Sequence, residues 1–163
     1  MTQSAVEAAI NELTQAGMVT PGDLKGCTLE EIGQIKTRFR LQLPAIYKEF
    51  LTRMGKGAGR FLNGSDYLFP ALLRLREDAE SILKESERQF KLDAKDFVFV
   101  GHQGYEFLYF NSRQAPDPPV FLLTEGDEPQ QVFAHFSEWL LSCVSDEIEA
   151  FKSLRETAAR KTL

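Results

Sequence analysis

Cysteine and histidine are scarce in this chain. The two cysteines, Cys27 and Cys143, form no C-x-x-C pair, and the two histidines, His102 and His135, form no H-E-x-x-H pattern. Disulfide-stapled secreted domains and zinc sites need more of these residues at closer spacing. We therefore expect a cytoplasmic protein with reduced thiols, no metal site and no cofactor.

Long apolar runs are missing as well. No segment approaches the roughly 20 apolar residues of a membrane-spanning helix, and residues 1–16 have neither the basic start nor the unbroken apolar core of a secretory signal. A length of 163 residues with 43% hydrophobic and 26% charged residues is ordinary for one globular domain. We therefore expect a single domain over residues 1–163 that does not enter a membrane.

Basic residues are absent from residues 117–150, which we call the acidic segment. Its acidic residues are Asp117, Glu125, Asp127, Glu128, Glu138, Asp146, Glu147 and Glu149. In residues 36–76, the basic segment, nine Lys and Arg side chains are opposed by two acidic ones, Glu49 and Asp66. Two interpretations remain open: the segments form separate surface fields that select a partner, or they mix in space and partly cancel.

Apolar residues at helical spacing predict five helices. They cover residues 4–16, 29–39, 44–54, 75–90 and 136–151, and we expect the polar tail from Arg155 to fray. A capping box at residues 28–31 marks the start of the second helix. We expect the apolar face of that helix to include Leu29.

Aromatic and β-branched runs predict strands after Lys95. They cover residues 97–100, 105–110, 120–123 and 131–133, and residues 66–69 form a further short strand. Helices followed by a meander and a closing helix indicate an α+β fold. We predict an antiparallel sheet of about four to six strands, packed with N-terminal helices and a long C-terminal helix.

Side chains suited to catalysis are few and poorly arranged. The chain has no G-x-S-x-G elbow, and the glycine-rich residues 55–60 lack the Lys-Ser/Thr ending of a phosphate loop. Cys143 lies on the apolar stripe of the last helix, so we expect it in the core. Cys27 precedes a helix N-terminus, where the dipole lowers a thiol pKa, although a non-catalytic thiol is the more common outcome. We expect His102 to be a solvated turn residue and His135 to be structural, and we predict no catalytic residue.

Four features, taken in order, resemble the SUKH superfamily, which contains a yeast cell-wall synthesis regulator and many bacterial immunity proteins. The first is the helix at 29–39, which leads into residues 43–51 and a glycine-rich exit at 55–59. The second is the short segment 66–69 before a charged helix, and the third is the aromatic hairpin at 97–110 followed by residues 120–123. The fourth is the segment 133–140, in which a phenylalanine starts the last helix. The resemblance covers residues 28–145, which leaves 1–27 as a helical extension and 146–163 as helix end and tail. It implies a non-enzymatic α+β domain that binds a protein partner, which in bacteria is often a toxin domain.

The acidic segment suits such a partner. Many toxins that act on DNA or RNA are cationic near the active cleft because they hold phosphates, and carboxylates steer association with a cationic surface. Tyrosine side chains anchor many interfaces. The residues that we predict to contact the partner are Asp66, Tyr67, Tyr105, Asp117, Glu125, Asp127 and Glu128, with Tyr109 as a further tyrosine.

The function predicted from these features is that of an immunity protein, a monomer or homodimer, that covers the active cleft of a toxin. A regulatory scaffold of the same superfamily is the alternative. The net charge of −5 speaks against a nucleic-acid partner.

Overall fold

The helices and strands follow the predicted order in a computed structural model that describes residues 2–86, 89–113 and 115–162. The helices of the described residues are α1 (Ala5–Gln15), α2 (Leu29–Phe39), α3 (Ala45–Met54), α4 (Leu75–Glu85) and α5 (Phe136–Lys161). The strands are β1 (Leu24–Lys25), β2 (Gly57–Ala58), β3 (Ser65–Asp66), β4 (Asp96–His102), β5 (Glu106–Asn111), β6 (Val120–Thr124) and β7 (Gln130–Phe133).

The main sheet is an antiparallel meander. Its five strands lie in the order β3-β4-β5-β6-β7, and β1 pairs with β2 in a separate two-stranded sheet. Helix α5 crosses one face, where the rings of Phe99 and Trp139 are 4.9 Å apart. Helix α4 packs on the other face at Gly101, where a Cβ atom would lie 2.9 Å from Leu75 Cδ2. The predicted α+β single domain is confirmed.

An aromatic cluster joins the N-terminal helices to the sheet and to α5. The ring of Tyr47 on α3 lies 5.4 Å from Phe97 on β4, 5.2 Å from Phe110 on β5 and 5.6 Å from Phe136 on α5. All four side chains are buried. Edge-on and tilted aromatic pairs of this kind contribute beyond the area that they bury, so the cluster helps to hold α5 on the sheet.

Three local features differ from the prediction. Leu29 is 88% exposed instead of lying on the apolar face, whereas Ile32 and Ile35 of the same helix are buried. Helix α4 ends at Glu85, before Phe90, and residues 87 and 88 of the predicted helix lie outside the described residues. Helix α5 continues past Arg155 to Lys161, since its last turns consist largely of strong helix formers.

The helices of the described residues do not combine the length and the apolar character that crossing a bilayer requires.

Candidate protein-binding surface

Two loops meet at one end of the main sheet, which we call the turn end. The backbone N–H of Glu125, after β6, donates to the carbonyl of Tyr105, before β5, at 3.1 Å. Residues 106 and 124 are paired neighbours in the sheet. Tyr105, Glu125 and Asp127 are exposed there. The fold therefore brings these three predicted contact residues together, and Glu128 belongs to the same exposed turn.

A cleft opens between α5 and the turn end of the sheet, with a volume of about 190 Å³. Its lining includes Leu62, Ser65, Val100, His102, Glu106, Leu108, Leu122, Trp139 and Cys143. Most of these side chains are half-buried, whereas Val100 and Trp139 are buried. The lining is mainly apolar, with Ser65, His102 and Glu106 as its polar members. We refer to it as the α5–sheet cleft.

Carboxylates lie in and near the α5–sheet cleft. Glu106 forms part of its lining. Burial, followed by the nearby charges of Glu147 and Asp146, raises the pKa of the Cys143 thiol to about 12. Glu147 lies one helical turn after Cys143 and is half-buried, while Asp146 is exposed. Acidic side chains from β5 and α5 thus lie close to an apolar depression.

Glu106 and Glu147 were not among the predicted contact residues. Glu106 lies outside the acidic segment, and Glu147 lies within a long helix where its neighbours could not be known. Two patterns in the sequence point to these residues. Glu106 and Leu108 are two positions apart on β5 and so lie on the same face, and Glu147 follows Cys143 by one helical turn. Both patterns place a carboxylate beside an apolar side chain on the same face.

Asp117 lies away from the turn end and has a structural role, and its contact with a partner stays a prediction. Its carboxylate accepts hydrogen bonds from the backbone N–H of Ser137 at 2.9 Å and from the Ser137 hydroxyl at 2.5 Å. Ser137 is in the first turn of α5, where backbone N–H groups have no partner within the helix. Asp117 therefore caps α5 from a distant part of the chain.

Replacing Asp117 with alanine is expected to lower the free energy of unfolding by about 1–2 kcal/mol, the usual loss for a helix cap. Weaker partner binding by folded Asp117→Ala would support its predicted contact role, and unchanged binding would contradict that role. Urea denaturation and a binding assay measure the two effects. Glu125→Ala, at an exposed turn position, is the control and should change stability by less than about 0.5 kcal/mol. Equal losses from the two variants would contradict the capping role.

Tyr67 is buried and does not reach the surface, so the structure removes it from the predicted contact residues. It is 4% exposed, and its hydroxyl donates to the carbonyl of Phe61 at 2.6 Å. Burial raises the pKa of its phenol, with further contributions from Cys143 and Glu147. Tyr109 is also buried, at 5% exposure, and its ring stacks on Phe121.

Tyr67→Phe is expected to lower the free energy of unfolding by about 1–2 kcal/mol, because it leaves the carbonyl of Phe61 unsatisfied. Tyr47→Phe provides the comparison, since the buried Tyr47 hydroxyl has no hydrogen-bond partner among the described residues. That variant should be neutral or stabilising. Denaturation of both variants measures these changes in the free energy of unfolding. A loss of stability in Tyr47→Phe as large as that in Tyr67→Phe would contradict a stabilising role for the Tyr67 hydrogen bond.

Part of the basic segment is neutralised by nearby acids. Arg38 pairs with Glu77 at 2.7 Å, and Arg76 pairs with Glu80 at 2.8 Å. Further ion pairs join Lys56 to Glu31 at 3.0 Å and Arg74 to Asp66 at 3.2 Å. The charges of the basic segment therefore mix with acidic ones in space. Asp66 is exposed at the edge of the sheet, where its ion pair with Arg74 partly neutralises its charge.

The two thiols lack the features of catalytic cysteines. Burial, with a smaller contribution from the charge of Glu31, raises the pKa of Cys27 to about 11. This shift is opposite to the lowering that a helix N-terminus would produce. The half-buried Cys143 lies partly in the core, as its place on the apolar stripe predicted. Neither thiol is expected to form a thiolate readily near neutral pH.

Each histidine ring has a polar atom close to its Nδ1. The Ser65 hydroxyl oxygen lies 3.0 Å from His102 Nδ1, but within the described residues no carboxylate accepts a hydrogen bond from that ring to complete a triad. His135 Nδ1 lies 3.0 Å from the carbonyl of Asp117, and this contact raises the pKa of the imidazole. His135 therefore bonds to backbone, as predicted. The described part of the chain contains no cluster of three or more side chains able to hold a metal ion.

Comparison with known proteins gives one family match. The model of the SMI1 / KNR4 family (SUKH-1) matches residues 26–142. No curated protein matches the chain.

Proposed function

The chain belongs to the SMI1/KNR4 family (SUKH-1), and from this membership we propose that it is an immunity-type binding protein. It would neutralise a toxin domain in the cytoplasm by covering the toxin's active cleft. The superfamily includes immunity proteins, which makes binding of a protein the first function to consider. The partner class is inferred from the surface of this chain.

The turn end is the observation that carries the proposal. It combines exposed carboxylates, Glu125 and Asp127, an exposed aromatic ring, Tyr105, and the α5–sheet cleft. An enzyme that cleaves nucleic acid presents Lys and Arg side chains to bind phosphates. Complementary charge attracts such a surface and orients it during encounter. A surface of this kind would compete with the nucleic-acid substrate.

This function requires no reaction by the chain itself. Inhibition follows when a partner's active cleft is covered for longer than its substrate takes to bind and react. The high thiol pKa values of Cys27 and Cys143 favour such a mechanism over nucleophilic catalysis. So does the incomplete arrangement around Ser65 and His102.

Co-expression tests the proposal. The chain would be produced together with cationic nuclease domains encoded near its gene, and cell survival and co-purification would be measured. We expect one such domain to co-purify in a stoichiometric complex and to lose its toxicity. Failure of every neighbouring toxin domain to bind, with capture of an endogenous cell-wall enzyme instead, would refute the immunity role and favour the regulatory scaffold.

A further inference from the structure

We propose that the α5–sheet cleft is a receptor for a single arginine side chain. The occupant would be an arginine of the partner protein, so its biological setting rests on the proposed function. The recognition itself is a property of this chain alone. Three observations carry it: the size of the cleft, its apolar lining and the carboxylates beside it.

The size and lining select a long side chain with an aliphatic stem. A volume of about 190 Å³ accommodates one side chain and is too small for a folded element. Leu108, Leu122 and Trp139 supply apolar walls from two strands and a helix. Arginine buries its methylene groups along such walls while its charged head stays near water.

The carboxylates select a positive head group. Glu106 lies in the lining, and the half-buried Glu147 follows Cys143, another lining residue, by one turn of α5. A purely apolar occupant would strip water from these carboxylates without replacing their hydrogen bonds. An anionic occupant would be repelled. The occupant must therefore carry donors and positive charge at the end of an apolar stem.

Arginine fits this description better than lysine. The guanidinium group has five N–H donors in a planar fork and is more weakly hydrated than an ammonium group. It can therefore bond carboxylates that approach from two elements, here β5 and α5. Cationic nuclease surfaces use arginine to hold phosphates. Insertion of such an arginine into the cleft would remove it from the nuclease's own substrate.

The test uses the purified full-length chain and a small probe. N-acetyl-L-arginine methylamide would be titrated while NMR follows the methyl signals of Leu108 and Leu122 and the indole signal of Trp139. We expect saturable shifts confined to these groups, with a Kd of roughly 1 mM, in keeping with one side chain. The citrulline analogue has nearly the same shape without the charge, and we expect it to bind at least about tenfold more weakly.

Matched variants complete the test. Glu106→Gln and Glu147→Gln should each weaken arginine binding by about threefold or more, because each removes one charge-assisted partner. Glu12→Gln is the control, since Glu12 is exposed on α1, a helix that contributes no lining residue to the cleft. Shifts outside the cleft, equal binding of citrulline, or an equal loss in the control would overturn the inference. If arginine binds in the cleft but no toxin domain is captured, the proposed function fails while this inference stands.

Discussion

Gly26→Ala is expected to unfold the protein or to lower its free energy of unfolding by about 3 kcal/mol or more, since overpacking against backbone is costly. A Cβ atom at residue 26 would lie 1.7 Å from the carbonyl oxygen of Thr52. Backbone hydrogen bonds on either side of residue 26 hold its segment against the end of α3. The neighbouring N–H of Cys27 donates to the carbonyl of Leu51 at 2.8 Å, and the N–H of Lys56 donates to the carbonyl of Lys25 at 2.8 Å.

Gly33→Ala is the matched comparison. Gly33 lies within α2, and a Cβ atom there would meet nothing within 4 Å. A glycine inside a helix costs about 0.5–1 kcal/mol relative to alanine, so this variant should be more stable than the original. Urea denaturation followed by circular dichroism measures both changes. If Gly26→Ala proved as stable as Gly33→Ala, the close approach between residue 26 and α3 would be wrong.

Reversing the charge of the acidic turn is expected to slow association with a cationic toxin domain by about 100-fold, within the range known for electrostatic steering. The variant is Glu125→Lys, Asp127→Lys and Glu128→Lys together. All three positions are exposed, so the fold should tolerate the change. Stopped-flow or surface-based kinetics measures the association rate. The rate for the original chain should fall steeply as salt is added, whereas that for the variant should not.

A control with the same change in net charge separates local from global effects. Glu12→Lys, Glu85→Lys and Glu156→Lys change exposed residues on three helices away from the turn. Their combination should slow association much less, because steering depends on charge near the interface. Equal slowing by the two triple variants would show that only net charge matters, and the turn end would lose its proposed role.

The parts of the fold that could be predicted are those with a long periodic pattern. Phe136, Trp139 and Val144 are spaced for one helical face, and all three are buried in α5. The two-residue strands β1 and β2 were missed, because elements so short show no periodicity. Leu29 fits the apolar period of α2 but is exposed, since periodicity does not reveal where the covering elements end.

The candidate site was only partly predictable for a related reason. The acidic turn at Glu125 is a local sequence feature, and the structure places it on the surface as expected. Asp117 belongs to the same acidic segment but binds the start of α5, a contact that joins residues far apart in sequence. The α5–sheet cleft brings His102, Leu122 and Trp139 together from three elements. Such a combination depends on the tertiary fold and leaves no pattern in the sequence.

Titration of toxin activity tests most directly whether this chain acts by binding alone. The nuclease domain captured in the co-expression experiment would be mixed with increasing amounts of the purified chain, and its cleavage of nucleic acid would be followed. We predict that activity falls in proportion to the added chain, ends at one equivalent, and returns in full when the complex is separated at high salt. Complete inactivation by far less than one equivalent, or a toxin that stays inactive after separation, would show that the chain modifies its target and would contradict the account.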